Sequence, residues 1–240
     1  MINIVIPMAG AGSRFAKAGY KNPKPFIDVL GKPMICHVLD NLNIPDAKFI
    51  LLTRFEHYNN EQETVKWIKS NYKVEFVMID KLTEGAACTV LHAHRLINND
   101  TPLLIANSDQ IVDMDISEYI NDSKKRGLDG SVLCFEDNDK KWSYAKLDKN
   151  RFITEIREKE VISKNATVGI YYFNKGRDFV ENAIDMIVRN ERVNNEFYVA
   201  PVYKFGIYTI GKTQMHGTGT PEDLDKYIET VKEQQGALVL

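Results

Sequence analysis

Cysteine is scarce in this chain. Three are present among 240 residues, Cys36, Cys88 and Cys134, far apart and with no CxxC pair. That spacing argues against a disulfide framework or a paired-thiol zinc site and reads as reduced intracellular thiols. Cys88 and His92 stand one helical turn apart, but no second ligand pair accompanies them. Long apolar runs are missing as well: no stretch approaches the roughly 20 residues that a membrane helix needs. The N-terminus opens directly on Ile2-Asn3-Ile4-Val5-Ile6, without the basic region and longer apolar run of a signal peptide. A charge excess is also lacking. The chain has 31 Lys and Arg against 33 Asp and Glu, a net charge of -2, whereas a general nucleic-acid binder usually carries a basic surplus. These absences lead us to expect a cytoplasmic protein that binds neither nucleic acid nor membrane. With no internal repeat and no low-complexity linker, residues 1–240 are expected to form one globular unit.

What is present is an alternation of strand and helix signals. Strands are expected at 2–6, 48–53, 74–79 and 102–106, the last fully apolar and therefore central. Helices are expected at 33–42, with Pro33 in the first turn, at 56–70, with Val65, Trp67 and Ile68 on its apolar side, at 83–97 with Thr83 as N-cap, and at 116–126. This spacing implies a parallel sheet with right-handed crossovers. The second half changes character: 131–136, 144–147, 152–157 and 167–173 read as strands with fewer helices between them, so the sheet is expected to continue into an antiparallel region. Helices at 175–189 and 222–234 follow, the latter introduced by Thr220-Pro221. The fold class is α/β, a mixed, mostly parallel sheet flanked by helices. Two halves are expected, 1–130 and 131–240.

Ligands of such sheets bind at the carboxyl ends of the strands. Residues 7–14, 80–85 and 107–109 sit at those ends and are expected to converge. In the first, Met8-Ala9-Gly10-Ala11-Gly12-Ser13-Arg14 follows a buried strand with small residues that leave backbone N–H groups unobstructed. Such a loop can wrap a triphosphate, and Arg14 places a fixed charge beside it. Asn22-Pro23-Lys24-Pro25 is then expected to stiffen the segment and hold Lys24 in an extended stretch, suited to neutralising charge at a reacting phosphorus. The plain readings are a structural turn and a surface lysine. A dinucleotide fingerprint fits poorly, because Phe15 replaces the third glycine and Thr53-Arg54 supplies no acid for a ribose. Gly206 to Thr213 matches the letters of a phosphate-binding P-loop, but its middle residues alternate like a strand and no helix pattern follows.

Asn107-Ser108-Asp109 closes the central strand. A lone carboxylate there is placed to hold Mg²⁺ against phosphate oxygens; its plain reading is a loop cap. Asp115 reads as the N-cap of the next helix. Thr83-Glu84-Gly85-Ala86-Ala87 offers small residues beside which a flat base can lie, although a helix start looks the same.

Taken in order, MAGAGSRF, NPKPFIDVLGKPMI, TEGAACTV, IANSD and GIYYF resemble the sugar-phosphate nucleotidyltransferase family over roughly residues 1–225. The first two blocks carry the specificity. The resemblance implies a Rossmann-like fold and an NTP as substrate. It places Met8 to Ser13, Thr83, Gly85 and Asn107 on the nucleotide, Arg14 and Lys24 at the reacting phosphates, and Mg²⁺ on Asp109. Glu158, Lys159 and Gly169 fall where the family holds a small phosphorylated acceptor, although Glu160 replaces the usual proline. The loop form looks closest to a capsule-pathway subgroup of cytidylyltransferases, which implies CTP as nucleotide and phosphoglutamine as acceptor. One departure stands out. Where the family commonly supplies a second metal aspartate before Thr-Gly-Thr, this chain has Gly217, so a sugar acceptor is not assured. The oligomeric state is left open, a homo-oligomer included.

Overall fold

The computed structural model describes residues 1–192, 195–199 and 205–237, with side chains described through Gln234. The organising element is the strand β1 (Ile2–Pro7), buried from Ile2 to Ile6. It carries helix α1 (Ser13–Lys17), the two-residue strands β2 (Asp28–Val29) and β3 (Lys32–Pro33), and helix α2 (Met34–Asn41) before the chain returns as β4 (Ala47–Arg54). Helices α3 (Phe55–Asn60) and α4 (Gln62–Asn71) lead to β5 (Val74–Ile79); α5 (Ala86–Leu91) and α6 (His94–Ile97) lead to β6 (Leu103–Ala106). Then come β7 (Gln110–Val112), α7 (Ile116–Lys125), β8 (Gly130–Glu136), β9 (Ser143–Leu147), β10 (Ile153–Glu158), β11 (Asn165–Phe173), α8 (Gly176–Val188), β12 (Phe205–Ile210), β13 (Met215–Gly217) and α9 (Pro221–Ala237).

β5, β4, β1 and β6 lie side by side and all run parallel. β11 then pairs antiparallel with β6 and with β8, and β9 pairs antiparallel with β10. β12 closes the far edge, parallel to β8. The mixed, mostly parallel sheet expected from the sequence is present, and its two halves share one sheet through the pairing of β11 on β6. Alternate residues of β1 enter opposite cores: Ile4 and Ile6 pack with Ile35, Val38 and Leu39 of α2, while Val5 packs with Val90 of α5 and Phe179 of α8. Both faces are therefore covered, as a parallel sheet requires. Among the described residues no helix is long and apolar enough to cross a membrane.

Several local expectations are corrected. Pro33 is the N-cap of α2 and ends the short strand β3, so it precedes the first turn. The helix expected over 56–70 is two helices that break at Glu61 (φ -112°, ψ 35°), and Trp67 is exposed. The helix expected over 83–97 begins at Ala86 and is interrupted near Ala93. Thr83 is not its cap: Gly85 holds that position at φ 117°, a conformation that L side chains rarely adopt. A Cβ there would stand 2.4 Å from the carbonyl oxygen of Phe197; Phe197 N–H donates to the Glu84 carbonyl, and Ala87 N–H donates to the Phe197 carbonyl. A segment far along the chain thus sets the start of this helix. Asp115 caps α7 as expected, accepting from Ser117 N–H, and Thr220 Oγ1 accepts from Asp223 N–H at the start of α9. Residues 206–211 run as strand into a short turn of helix, so the P-loop letters carry no phosphate loop.

Candidate active site

The carboxyl ends of β1 and β6 deliver the glycine loop and the Asn107-Ser108-Asp109 turn to one place. A cavity of about 310 Å³ is walled there by Met8, Gly10, Gly12, Ser13, Arg14 and Lys24 and closed by Ser108 and Gly219. Gly12 turns the chain at φ 60° into α1, and a Cβ at Gly12 would lie 3.5 Å from Cβ of Lys24. The loop and the lysine segment are therefore adjacent, although Gly12 and Lys24 are twelve positions apart in sequence, and Lys24 opens a short 3-10 turn, Lys24–Phe26, in place of the extended stretch expected from its two prolines. Arg14 is exposed and makes no ion pair among the described residues, so its guanidinium is available to an anion. Lys24 Nζ donates to Asp109 Oδ2, and both side chains are largely buried. Gly219 lies against the same carboxylate: a Cβ there would be 3.0 Å from Asp109 Oδ2. Thr218 donates to the Asp109 main-chain carbonyl from both its N–H, at 2.8 Å, and its hydroxyl, at 3.1 Å.

A second cavity, about 420 Å³, opens from the first and shares Pro7, Arg14 and Gly219 with it. It reaches Asn107 and Asp109, then Glu158, Lys159 and Gly169, so the acceptor residues expected from the sequence line the space next to the glycine-loop cavity. Glu158 is held by Ser143 Oγ, which donates to it, and Lys159 Nζ lies 3.7 Å away from its carboxylate. Gly169 sits at φ 87°, where a Cβ would be 2.2 Å from Asn107 Nδ2 and 2.5 Å from Gln110 Oε1. The register of β11 against β8 shifts between Thr167 and Tyr171, and Gly169 within this irregular stretch of strand leaves the two amides their shelf. Gln110 lines the cavity, and its buried Oε1 has no hydrogen-bond partner among the described residues.

Not all expected residues meet here. Ala9 is buried in the core behind the loop, and Ala11 is exposed outside it. Thr83 donates to the Gly85 carbonyl at 3.2 Å. The space beside Gly85 is taken by the main chain of Phe197, and from this segment it is Ala86 that lines the cavity. Conversely, Gln110, Lys141, Trp142, Tyr171 and Tyr198 line it without having been singled out. Burial pushes the Tyr171 and Tyr198 hydroxyls well above the ordinary phenol range, and the neighbouring Glu158 adds to the shift. Both tyrosines are therefore neutral hydrogen-bonding walls at physiological pH.

Gly217 stands where a second carboxylate was sought. It pairs with Gln110 across β13 and β7, which puts an amide beside that position. No group of three or more His, Cys, Asp or Glu side chains is arranged to hold a metal among the described residues, and Cys88 with His92 makes none.

Residues 4–200 match the nucleotidyl transferase family. The chain belongs to that family. Among similar proteins, the bifunctional protein GlmU of Methanococcus vannielii is 28% identical over 199 residues, covering 80% of this chain and 44% of that one. A mannose-1-phosphate guanyltransferase of Yarrowia lipolytica is 27% identical over 182 residues, covering 71% and 48%. This nucleotidyl transferase family member thus spans less than half the length of either relative. The nucleoside-diphosphate-sugar pyrophosphorylase of Vibrio cholerae RC9 superposes with a TM-score of 0.76 at 24% identity, over 94% of this chain and 99% of that one. That likeness concerns the fold.

Proposed function

We propose that this protein transfers a nucleotidyl group from an NTP to a small phosphorylated acceptor and releases pyrophosphate. The observation that carries this reading is the continuity of two cavities. One is ringed by the glycine loop, Arg14 and Lys24; the other is ringed by Asp109, Glu158, Lys159 and Gly169, with Arg14 and Gly219 on the wall they share and Lys24 bonded to Asp109 across it. An acceptor phosphate oxygen in the second attacks the α-phosphorus of the NTP. A new P–O bond forms as the bond to the β-phosphate breaks, and pyrophosphate leaves with the electron pair. The acceptor phosphate is ionised at neutral pH, so no strong general base is needed. Arg14 holds the departing phosphates, Lys24 neutralises charge at the α-phosphate, and the loop N–H groups orient the chain of phosphates.

A single carboxylate suits Mg²⁺, which keeps several waters and takes its other ligands from substrate phosphates. Asp109 would hold it, and Gly219 leaves the room that its carboxylate needs. When bound, the ion would supply charge neutralisation at the phosphate oxygens. The first half, 1–130, serves the nucleotide, and the second half, 131–240, brings the acceptor residues.

The form of the glycine loop supports CTP as the nucleotide and phosphoglutamine as the acceptor, as does the absence of a side chain at Gly217. The names of the relatives favour a second reading, a sugar 1-phosphate as acceptor. A matrix of four NTPs against phosphoglutamine, glucose 1-phosphate, mannose 1-phosphate and N-acetylglucosamine 1-phosphate, read by pyrophosphate release with Mg²⁺ present, separates the two. Nucleotide-dependent stabilisation without release from any pair would leave a binding protein instead of an enzyme.

A further inference from the structure

Beyond Gly217 lies a third cavity, about 300 Å³. It shares four walls with the acceptor cavity: Lys141, Trp142, Gly217 and Asp223. Trp142 is the partition between them. Its Nε1–H donates to Asp137 Oδ2 at 3.2 Å, its ring packs edge-on against Phe135 at 5.3 Å, and Lys141 Nζ lies 4.6 Å from its ring centre. Asp137 is itself fixed. Burial works against its charge, but Lys212 at 2.9 Å and the N–H groups of Asn138 and Asp139 hold its carboxyl below the ordinary range. Opposite this anchored ring stands a residue with no side chain. A Cβ on Gly217 would meet nothing closer than Trp142 Cη2, at 3.9 Å. The glycine leaves a gap there, and any side chain longer than alanine would lie across it.

The lining is formally balanced, Lys141, Lys212 and Lys226 against Asp137, Asp139 and Asp223, but the charges are not all paired. Lys212 is matched by Asp137, and Lys141 lies 3.9 Å from Asp223. His216 turns to Asp113 at 2.8 Å. Asp139 Oδ1 accepts from Lys141 N–H. Lys226, on α9, makes no ion pair among the described residues and borders the same space.

We propose that the acceptor cleft continues past Gly217 into this chamber, which receives the end of the acceptor remote from its phosphate, and that this end carries an anionic group met by Lys226. Gly217 is then the aperture and Trp142 its fixed jamb. The inference rests on the nucleotidyl-transfer reading and deepens it, because it selects acceptors with a second charged end over a compact sugar phosphate.

Trp142 supplies its own reporter. Replacing the exposed Trp67 by Phe leaves Trp142 as the single tryptophan, since the chain has two. In that background, phosphoglutamine, which carries a carboxylate end, is titrated against glucose 1-phosphate, which does not. Phosphoglutamine is expected to change Trp142 emission and glucose 1-phosphate to leave it unmoved. Gly217→Leu is expected to raise the acceptor KM on the order of tenfold, the size of one lost charged or well-packed contact, and to leave the NTP KM unchanged. Lys226→Ala, at an exposed position where folding is not at risk, is expected to raise the acceptor KM in the same way and to spare kcat. If an NTP and acceptor pair releases pyrophosphate but both variants keep the wild-type acceptor KM, or if glucose 1-phosphate alone is turned over, the chamber plays no part and the inference is overturned. No release with any pair overturns the parent reading and this one with it.

Discussion

Lys24 Nζ is bonded to the Asp109 carboxylate, so the two groups assigned opposite partners in the reaction, a phosphate and a cation, neutralise each other. A cation at Asp109 must displace the ammonium, and a triphosphate in the glycine-loop cavity draws it away. Lys24→Gln is therefore expected to bind Mn²⁺ more tightly than wild type in the absence of nucleotide, and Asp109→Asn to lose that binding. Titration followed by the electron paramagnetic resonance signal of free Mn²⁺ measures both. The same Lys24→Gln protein, folded by circular dichroism, should lose on the order of 10²–10³ in turnover, the usual cost of removing one preorganised charge from a transition state. Wild-type turnover in that variant would sink the assignment.

Gly169 offers a different test, because two requirements coincide there. Its φ of 87° is unfavourable to any side chain, and the space a Cβ would fill already holds the amides of Asn107 and Gln110. Gly169→Ala is expected to cost about 1–3 kcal/mol through backbone strain and, by pushing those amides out of the cleft, to raise the acceptor KM. Gly10→Ala is the control. Its Cβ would meet nothing within 4 Å, so thermal stability should be kept. Equal melting temperatures for the two variants would remove the argument for the shelf.

How much of this was legible in the sequence follows the range of the interactions. Ile2 to Ile6 and Leu103 to Ala106 announce central strands because a segment covered on both faces must be apolar throughout. The loop and Asp109 announce themselves because each follows such a strand, and Lys24 because two prolines bracket it. What was missed depends on partners far along the chain. Thr83 looked like a helix cap, but the cap is Gly85, set by Phe197. Gln110 to Val112 is too short to show a period and becomes a strand only against Met215 to Gly217, with Gly217 opposite Gln110. The helix break at Glu61 falls in a segment whose apolar residues keep helical spacing. Nothing in the sequence marks Trp142; its place at the cleft comes from Asp137 and Phe135, which orient it.

Tyr119 connects the antiparallel half to the core. It is fully buried, donates to the Ser131 carbonyl and accepts from the Tyr172 N–H at 3.1 Å. Phenylalanine fits the same space but strands both main-chain groups. Leaving a buried polar group without a partner costs about 1–3 kcal/mol, so Tyr119→Phe is expected to lower the denaturation midpoint without changing the urea m-value. The residue lies outside the site, so pyrophosphate release below the unfolding transition should be that of wild type. An unchanged midpoint would show that the two groups find other partners.

Acid should weaken the fold through two histidines. Burial lowers the pKa of His37, outweighing the opposite pull of the Val29 carbonyl 2.8 Å from Nε2; burial and then Arg54 lower that of His57. With Nε2–H donating to Val29, Nδ1 of His37 is the acceptor for Tyr227 Oη–H at 3.3 Å, so protonation at Nδ1 would also cut the tie between α2 and α9. For both rings the folded-state pKa lies below the unfolded value of about 6.5. The unfolded chain therefore takes up protons first as pH falls. Their contribution to stability is complete above about pH 6.5 and is lost as pH drops through the lower folded values. Melting temperature measured from about pH 7.5 down to about pH 5 should fall in wild type and fall less steeply in His37→Gln and His57→Gln. If both variants kept the full wild-type slope, the acid sensitivity would belong to other groups.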